Sequence, residues 1–168
     1  GPQLGALAVF KMMLTNPVIL TIAFVEFCSG FLRQAIMQWY RSYAKQTDSA
    51  LGLDSSFVTE NWGMLLCCAG IMGGVVAGVI SDRVFDSRRG PVAGILYGAM
   101  LLGGIFLYFT YQEWYVGWTV IVLSMCVIGV HGMLSGTASM DFGGKKNVGI
   151  AVGIIDGFVY AGTAVMAI

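Results

Sequence analysis

The chain has 168 residues, 57% of them hydrophobic and 11% charged, with nine basic and nine acidic side chains and a formal net charge of zero. That balance is far more apolar than a water-soluble domain carries, and with a single histidine it leaves no basic face for nucleic acid. The sequence has no C-x-x-C pair or histidine cluster to hold zinc, iron-sulfur or haem, so neither a metal nor a cofactor is expected.

Crossing the hydrocarbon takes about 20 mostly apolar residues. Runs of that length occur at about 17–40, 61–80, 91–112, 115–139 and 148–168. Lipid leaves no backbone group unpaired, and strict alternation is missing, so the runs are expected to be helices and the fold class an all-α integral membrane bundle with five spans. Residues 1–16 form an interfacial lead-in: Gly1-Pro2 resembles the scar of a cleaved expression tag, and "QLGALAVFKMML" is too short to span. The last run stops at Ile168 with no flanking basic or aromatic anchor, as expected of a piece of something longer.

On the first run, Glu26, Gly30, Arg33 and Met37 share one helical stripe, with Glu26 and Arg33 about 10 Å apart along the axis. A charge inside a span is costly and marks function by default. Arg33 stays charged at any working pH and presents a planar fork of donors suited to phosphate or carboxylate. The run ends in "QWYRSY", an interfacial anchor in which Arg41 is an ordinary flanking charge. In the following connection Arg41 and Lys45 are balanced by Asp48, Asp54 and Glu60.

The second and third runs are joined by "GVVAGVISDRVFDSRRG", which has the form G-x-x-x-D-R-x-x-x-x-R-R with Gly78, Asp82, Arg83, Arg88 and Arg89. Asp82 stands where a helix ends and an abrupt turn begins, placed to pair with the arginines or with a neighbouring helix N-terminus in one conformational state, which makes these residues a gating motif. The arginines of 81–90 and Lys145 and Lys146 of 141–147 put both loops on the cytoplasmic side, whereas "TYQEWY" near 110–115 has no Lys or Arg.

On the fourth run Ser124, His131, Ser135 and Ser139 form a stripe, and on the fifth Gly149, Gly153, Asp156 and Tyr160 do. Asp156 should face the bundle interior, where burial of a carboxyl favours its protonated form. Two mechanisms stay open: Arg33 binds an anion, or Asp156 carries a proton. The two could also neutralise each other until an anion arrives. Glycine pairs at four-residue spacing, Gly74 with Gly78, Gly94 with Gly98, Gly132 with Gly136, and Gly149 with Gly153 and Gly157, are expected to let helices pack closely. Cys28, Cys67, Cys68 and Cys126 all fall inside spans and are expected to be buried apolar thiols.

Three stretches carry a family likeness. "FLRQAIMQW" resembles the seventh helix of a major facilitator superfamily transporter, "GVISDRVFDSRRG" the loop between its helices eight and nine, and "MDFGGKKNVGIAVGIIDGFVYAGT" the junction of helices ten and eleven. Within that superfamily the chain is similar to the carboxy-terminal half, helices seven to eleven, of the organophosphate:phosphate antiporters. The resemblance implies a two-domain rocker-switch carrier in a bacterial inner membrane, not an enzyme. One substrate site would lie between this half and a missing amino-terminal six-helix half, with an arginine from each.

By that resemblance Arg33 matches the second arginine, and Tyr160 a tyrosine lining the cavity. Gln34 and His131 would add hydrogen bonds to a small anionic substrate exchanged for phosphate, and Glu26 and Asp156 would couple charge. Gly30 replaces an aromatic often found three residues before the arginine, Cys67 stands where some members carry an acid, and Gln34, His131 and Asp156 match no family motif. A proton-coupled symporter of sugar acids, and a transporter-like membrane sensor of sugar phosphate, are the alternatives.

Overall fold

A computed structural model describes residues 5–168, apart from the side chains of 6 and 136–146. The regular elements are helices: α1 (Ala6–Leu14), α2 (Pro17–Gln46), α3 (Asp48–Leu51), α4 (Phe57–Glu60), α5 (Trp62–Val84), α6 (Arg89–Thr110), α7 (Val116–His131), a π-helical segment (Gly132–Ala138) and α8 (Ser139–Met166). Five helical stretches are long and apolar enough to cross a bilayer: Pro17–Gln46, Trp62–Val84, Arg89–Thr110, Val116–Ser135 and Asn147–Met166. Large apolar side chains such as Phe24, Ile71, Leu101, Leu102 and Phe109 point outward, as they do where lipid is the solvent. The chain is an all-helical integral membrane protein. With 30 residues, α2 is about 45 Å long, more than the hydrocarbon thickness, so "QWYRSYAKQ" continues the helix past the apolar run.

The chain divides into two compact units, Gly1–Leu32 with His131–Ile168, and Arg33–Val130. In the first, α1 buries Val9 and Met13 with Ile19 of α2 and with Ala151 and Ile154 of α8. The lead-in is therefore a nine-residue helix packed on α8. Two glycines let α2 and α8 meet backbone to backbone. A Cβ at Gly30 would strike the Val159 carbonyl, and one at Gly162 the Phe27 carbonyl. Thr163 Oγ1 donates into the same crossing, 3.3 Å from the Gly30 carbonyl oxygen and 3.1 Å from that of Val159.

Lys145 and Lys146, expected in a loop at 141–147, fall within the bounds of α8, and their side chains lie outside the described residues. The chain still reverses nearby. Ser135 is hydrogen-bonded to Asp156, 21 positions later, and a straight helix would hold the two about 30 Å apart.

In the second unit, α5 and α7 approach closely: a Cβ at Gly129 would lie 2.9 Å from the Gly73 carbonyl oxygen, and one at Gly73 would strike the Met125 carbonyl. The connection after α2 is tied down by Tyr40. Its ring stacks on Trp62 with centroids 4.3 Å apart, and its hydroxyl is 3.3 Å from Thr59 Oγ1, which donates to the Leu53 carbonyl at 2.6 Å. Gly52, at φ 62°, ends α3 in the left-handed region, and Ser56 caps α4 by accepting from the Thr59 N–H.

The glycine expectation needs correction. Among the described residues Gly74, Gly78, Gly94, Gly98, Gly132, Gly149, Gly153 and Gly157 have open space where a Cβ would be, and the close approaches use Gly30, Gly73, Gly103, Gly117, Gly129 and Gly162; Gly136 lies outside the described residues. Four-residue spacing identifies a smooth helix face, not whether another helix lies against it. Three cysteines also depart from expectation: Cys28, Cys67 and Cys68 are exposed on their helices and only Cys126 is buried.

Gly73→Leu and Gly162→Leu are expected to lower the thermal unfolding temperature of the full-length protein, because overpacking a tight contact costs about 1–3 kcal/mol. Gly74→Leu and Gly98→Leu, with open space beside them within this chain, should lower it by less in the same melting assay.

Candidate functional site

The polar residues of the first unit meet where α7 passes into the π-helical segment. Glu26, in the first third of α2, is fully buried. Its Oε2 lies 2.9 Å from Nδ1 of His131, the last residue of α7, whose side chain is 29% exposed. One hydrogen bond thus joins the ring nitrogen of α7 to the carboxyl group of α2. Four residues on, the buried Ser135 hydroxyl donates to Oδ1 of Asp156, a half-buried carboxylate on α8. One helix end thus holds two acidic side chains from two other helices. A π-helical stretch displaces side chains from the regular α register, and here it begins at the residue after His131.

Other residues of the expected site are placed differently. Tyr160, one turn after Asp156, is 64% exposed. Gln34 donates from Nε2 to Oε1 of Gln38 at 2.8 Å, a contact between successive turns of α2. Ser124 donates to the Val120 carbonyl of its own helix at 2.9 Å, so its hydroxyl serves α7 itself. The side chain of Ser139 lies outside the described residues. Arg33, with Gln34 in the second unit, is half-buried and has no hydrogen bond or ion pair among the described residues. It is a permanent cation on a membrane-length helix.

The turn after α5 has its own chemistry. Asp86 and Ser87 adopt φ of 50° and 62°, the left-handed region that costs a residue with a Cβ about 1–2 kcal/mol, less for aspartate. The cost is offset locally: the Ser87 hydroxyl donates to Oδ1 of Asp82 at 2.9 Å, and the Ser87 N–H donates to the Ser81 carbonyl at 2.8 Å. Asp82 therefore fixes the turn through Ser87. Arg83 and Arg88 are exposed, and Arg89 is half-buried.

Reasoning from spacing missed the Glu26–His131 pair, because stripes on separate helices do not say which helices touch. The available signal was compositional: the only histidine of the chain and a mid-span glutamate both need a partner in an apolar medium.

The profile of the Major Facilitator Superfamily matches residues 2–167. The chain is 30% identical over 161 residues to the glycerol-3-phosphate transporter of Bacillus subtilis (strain 168), taking in 94% of this chain and 35% of that protein. It is 31% identical over 157 residues to the membrane sensor protein UhpC of Escherichia coli (strain K12), with 92% and 34% covered. To a probable hexose phosphate transport protein of Chlamydia pneumoniae it is 26% identical over 156 residues, with 91% and 33% covered. The chain thus spans about a third of the length of these relatives. No solved structure matches it. Five apolar helices, the D-R-x-x-x-x-R-R turn and a profile match along nearly the whole sequence agree: the chain belongs to the Major Facilitator Superfamily.

Proposed function

We propose that the chain is the carboxy-terminal half of a secondary carrier that moves an organophosphate anion by alternating access, in exchange for inorganic phosphate. The observation that carries this is Arg33, a half-buried arginine on membrane-spanning α2 with no partner among the described residues. The planar donor fork of a guanidinium in that position suits a doubly charged phosphate oxyanion. The likeness to a glycerol-3-phosphate transporter and a hexose phosphate transport protein supports a phosphorylated substrate over other anions.

In this account the other half of the site comes from an amino-terminal six-helix half. Tyr160, His131 and Gln34 supply hydrogen bonds, Gln34 by leaving Gln38, while Glu26 and Asp156 set the charge around the bound anion. The protein sits in a bacterial inner membrane with 81–90 and 141–147 on the cytoplasmic side. The Asp82–Ser87 turn keeps Arg83 and Arg88 at the surface, where they can form or break contacts as the halves rock. A sensing role is the second reading, favoured by the likeness to a membrane sensor protein, and binding without counterflow would be its mark.

The test is counterflow into phosphate-loaded proteoliposomes by the full-length protein, with glycerol 3-phosphate, hexose phosphates and sugar acids offered in turn. Phosphorylated substrates are expected to exchange and sugar acids not. Arg33→Lys is expected to reduce the rate about 10- to 100-fold, the loss of one or more charge-assisted hydrogen bonds. A lysine variant at full rate would refute the bidentate anion site. Asp82→Ala is expected to slow exchange while leaving phosphate affinity within about threefold, since it acts on a conformational step; an unchanged rate would remove Asp82 from gating.

A further inference from the structure

A fork of donors recognises an anion only when it is held within about 0.5 Å and 10–20° of its working geometry. If the donors of Arg33 are to meet a ligand, their aim depends on how this part of α2 is fixed about its own axis. We propose that Tyr40 is the positioning residue that sets this rotation, and with it the direction of the Arg33 guanidinium; the proposal rests on the anion-carrier function above.

Tyr40 follows Arg33 by two helical turns, about 10 Å along the axis, which returns it to within about 20° of the same face. From Arg33 to the end of α2 the buried residues are Ile36, Tyr40 and Ala44, so Arg33 stands at the head of the stripe on which this stretch packs. An isoleucine and an alanine offer no directional bond, whereas a tyrosine does. These residues, and all those that confine Tyr40, belong to the second unit.

The Tyr40 side chain meets three other helices. Its ring lies on that of Trp62, at the start of α5, with centroids 4.3 Å apart. Its hydroxyl is 3.3 Å from Thr59 Oγ1 on α4. The Thr59 hydroxyl hydrogen goes to the Leu53 carbonyl at 2.6 Å, so Thr59 accepts from Tyr40 and is itself held in place. Beyond the ring stands Gly117 of α7, where a Cβ would lie 2.5 Å from the Tyr40 hydroxyl oxygen, 3.2 Å from its Cζ and 3.0 Å from Cγ1 of Val58. The ring cannot swing toward α7 without a clash, nor withdraw without leaving Trp62 and Thr59. A second tie, from the Tyr43 hydroxyl to the Tyr111 carbonyl, leaves α2 about 80° around the axis from Arg33. Tyr40 is thus the bond that anchors α4, α5 and α7 to the face bearing Arg33.

The test follows binding of inorganic phosphate to the full-length protein by calorimetry. Gly117→Ala puts a methyl group against the Tyr40 hydroxyl and is expected to weaken binding about tenfold. Adding Tyr40→Phe removes the obstructed oxygen, and the double variant is expected to return to within about threefold of wild type. With Arg33→Lys as the background, Gly117→Ala should cost less than about twofold, because an ammonium on a flexible stem binds as a point charge and does not need the orientation of a fork.

A clamp that served stability alone would act whatever residue stands at position 33, so equal losses in the two backgrounds overturn the positioning role. Wild-type affinity in Gly117→Ala, or a double variant that binds no better than Gly117→Ala, overturns it as well. Should Gly117→Ala fail to fold, Tyr40→Leu, which keeps the position apolar but loses the stack and the hydroxyl, is compared in the same two backgrounds. A loss of about tenfold with Arg33 in place and less than about twofold with Arg33→Lys supports the proposal, and equal losses overturn it. If Arg33→Lys by itself binds phosphate as wild type does, the anion site is refuted; if it binds more weakly and the losses are equal, the positioning role alone is refuted.

Discussion

A carboxylate sealed inside a membrane helix has no water to fall back on, so its partner must be fixed by the fold. Glu26 meets that demand through His131. The pair requires that α2 and the end of α7 be held within hydrogen-bond reach, and in turn that α8 lie tightly on α2. Gly30 and Gly162 allow that approach by omitting the atoms that would strike the facing carbonyls. In lipid, where apolar surface gains little by leaving its surroundings, such backbone proximity and buried hydrogen bonds carry much of the helix association. A polar pair and a glycine crossing are thus two sides of one packing solution.

The same economy of partners separates the structural polar residues from those left for a ligand. Ser124 bonds its own helix, Ser135 bonds Asp156, Thr59 bonds the Leu53 carbonyl, and Asp82 is occupied by Ser87. Arg33 has no such tie among the described residues. That contrast, more than its position in the sequence, is what supports the proposal that Arg33 holds the anion. On that proposal a half-buried arginine is tolerated on α2 because its charge is stabilised in operation by what it binds.

Much of the architecture was legible in the sequence, because a bilayer imposes a length rule that composition reveals directly. Five apolar runs became five spanning helices, and the charged turn between the second and third landed between α5 and α6. Contacts between helices were not legible. A stripe shows which residues share a face, yet the partner across that face depends on helix rotation, and rotation is settled by all the neighbours at once. This is why Gly74 and Gly78 matched a packing pattern but have open space, while Gly73, one position away and rotated by about 100°, carries the contact. For the same reason Glu26 was read along its own helix with Arg33, when its partner lay on α7. The D-R motif was recognisable, but the role of Ser87 depends on two left-handed residues that no spacing rule signals.

The central claim is that Glu26 and His131 act as a unit inside the membrane. A double-mutant cycle on the thermal stability of the full-length protein addresses it most directly, using Glu26→Gln, His131→Gln and the two combined. If the pair is formed, the double variant loses less stability than the two single losses added together, with a coupling of about 1–3 kcal/mol. Losses that simply add would show that the two side chains do not hold one another, and the account built on them would be wrong.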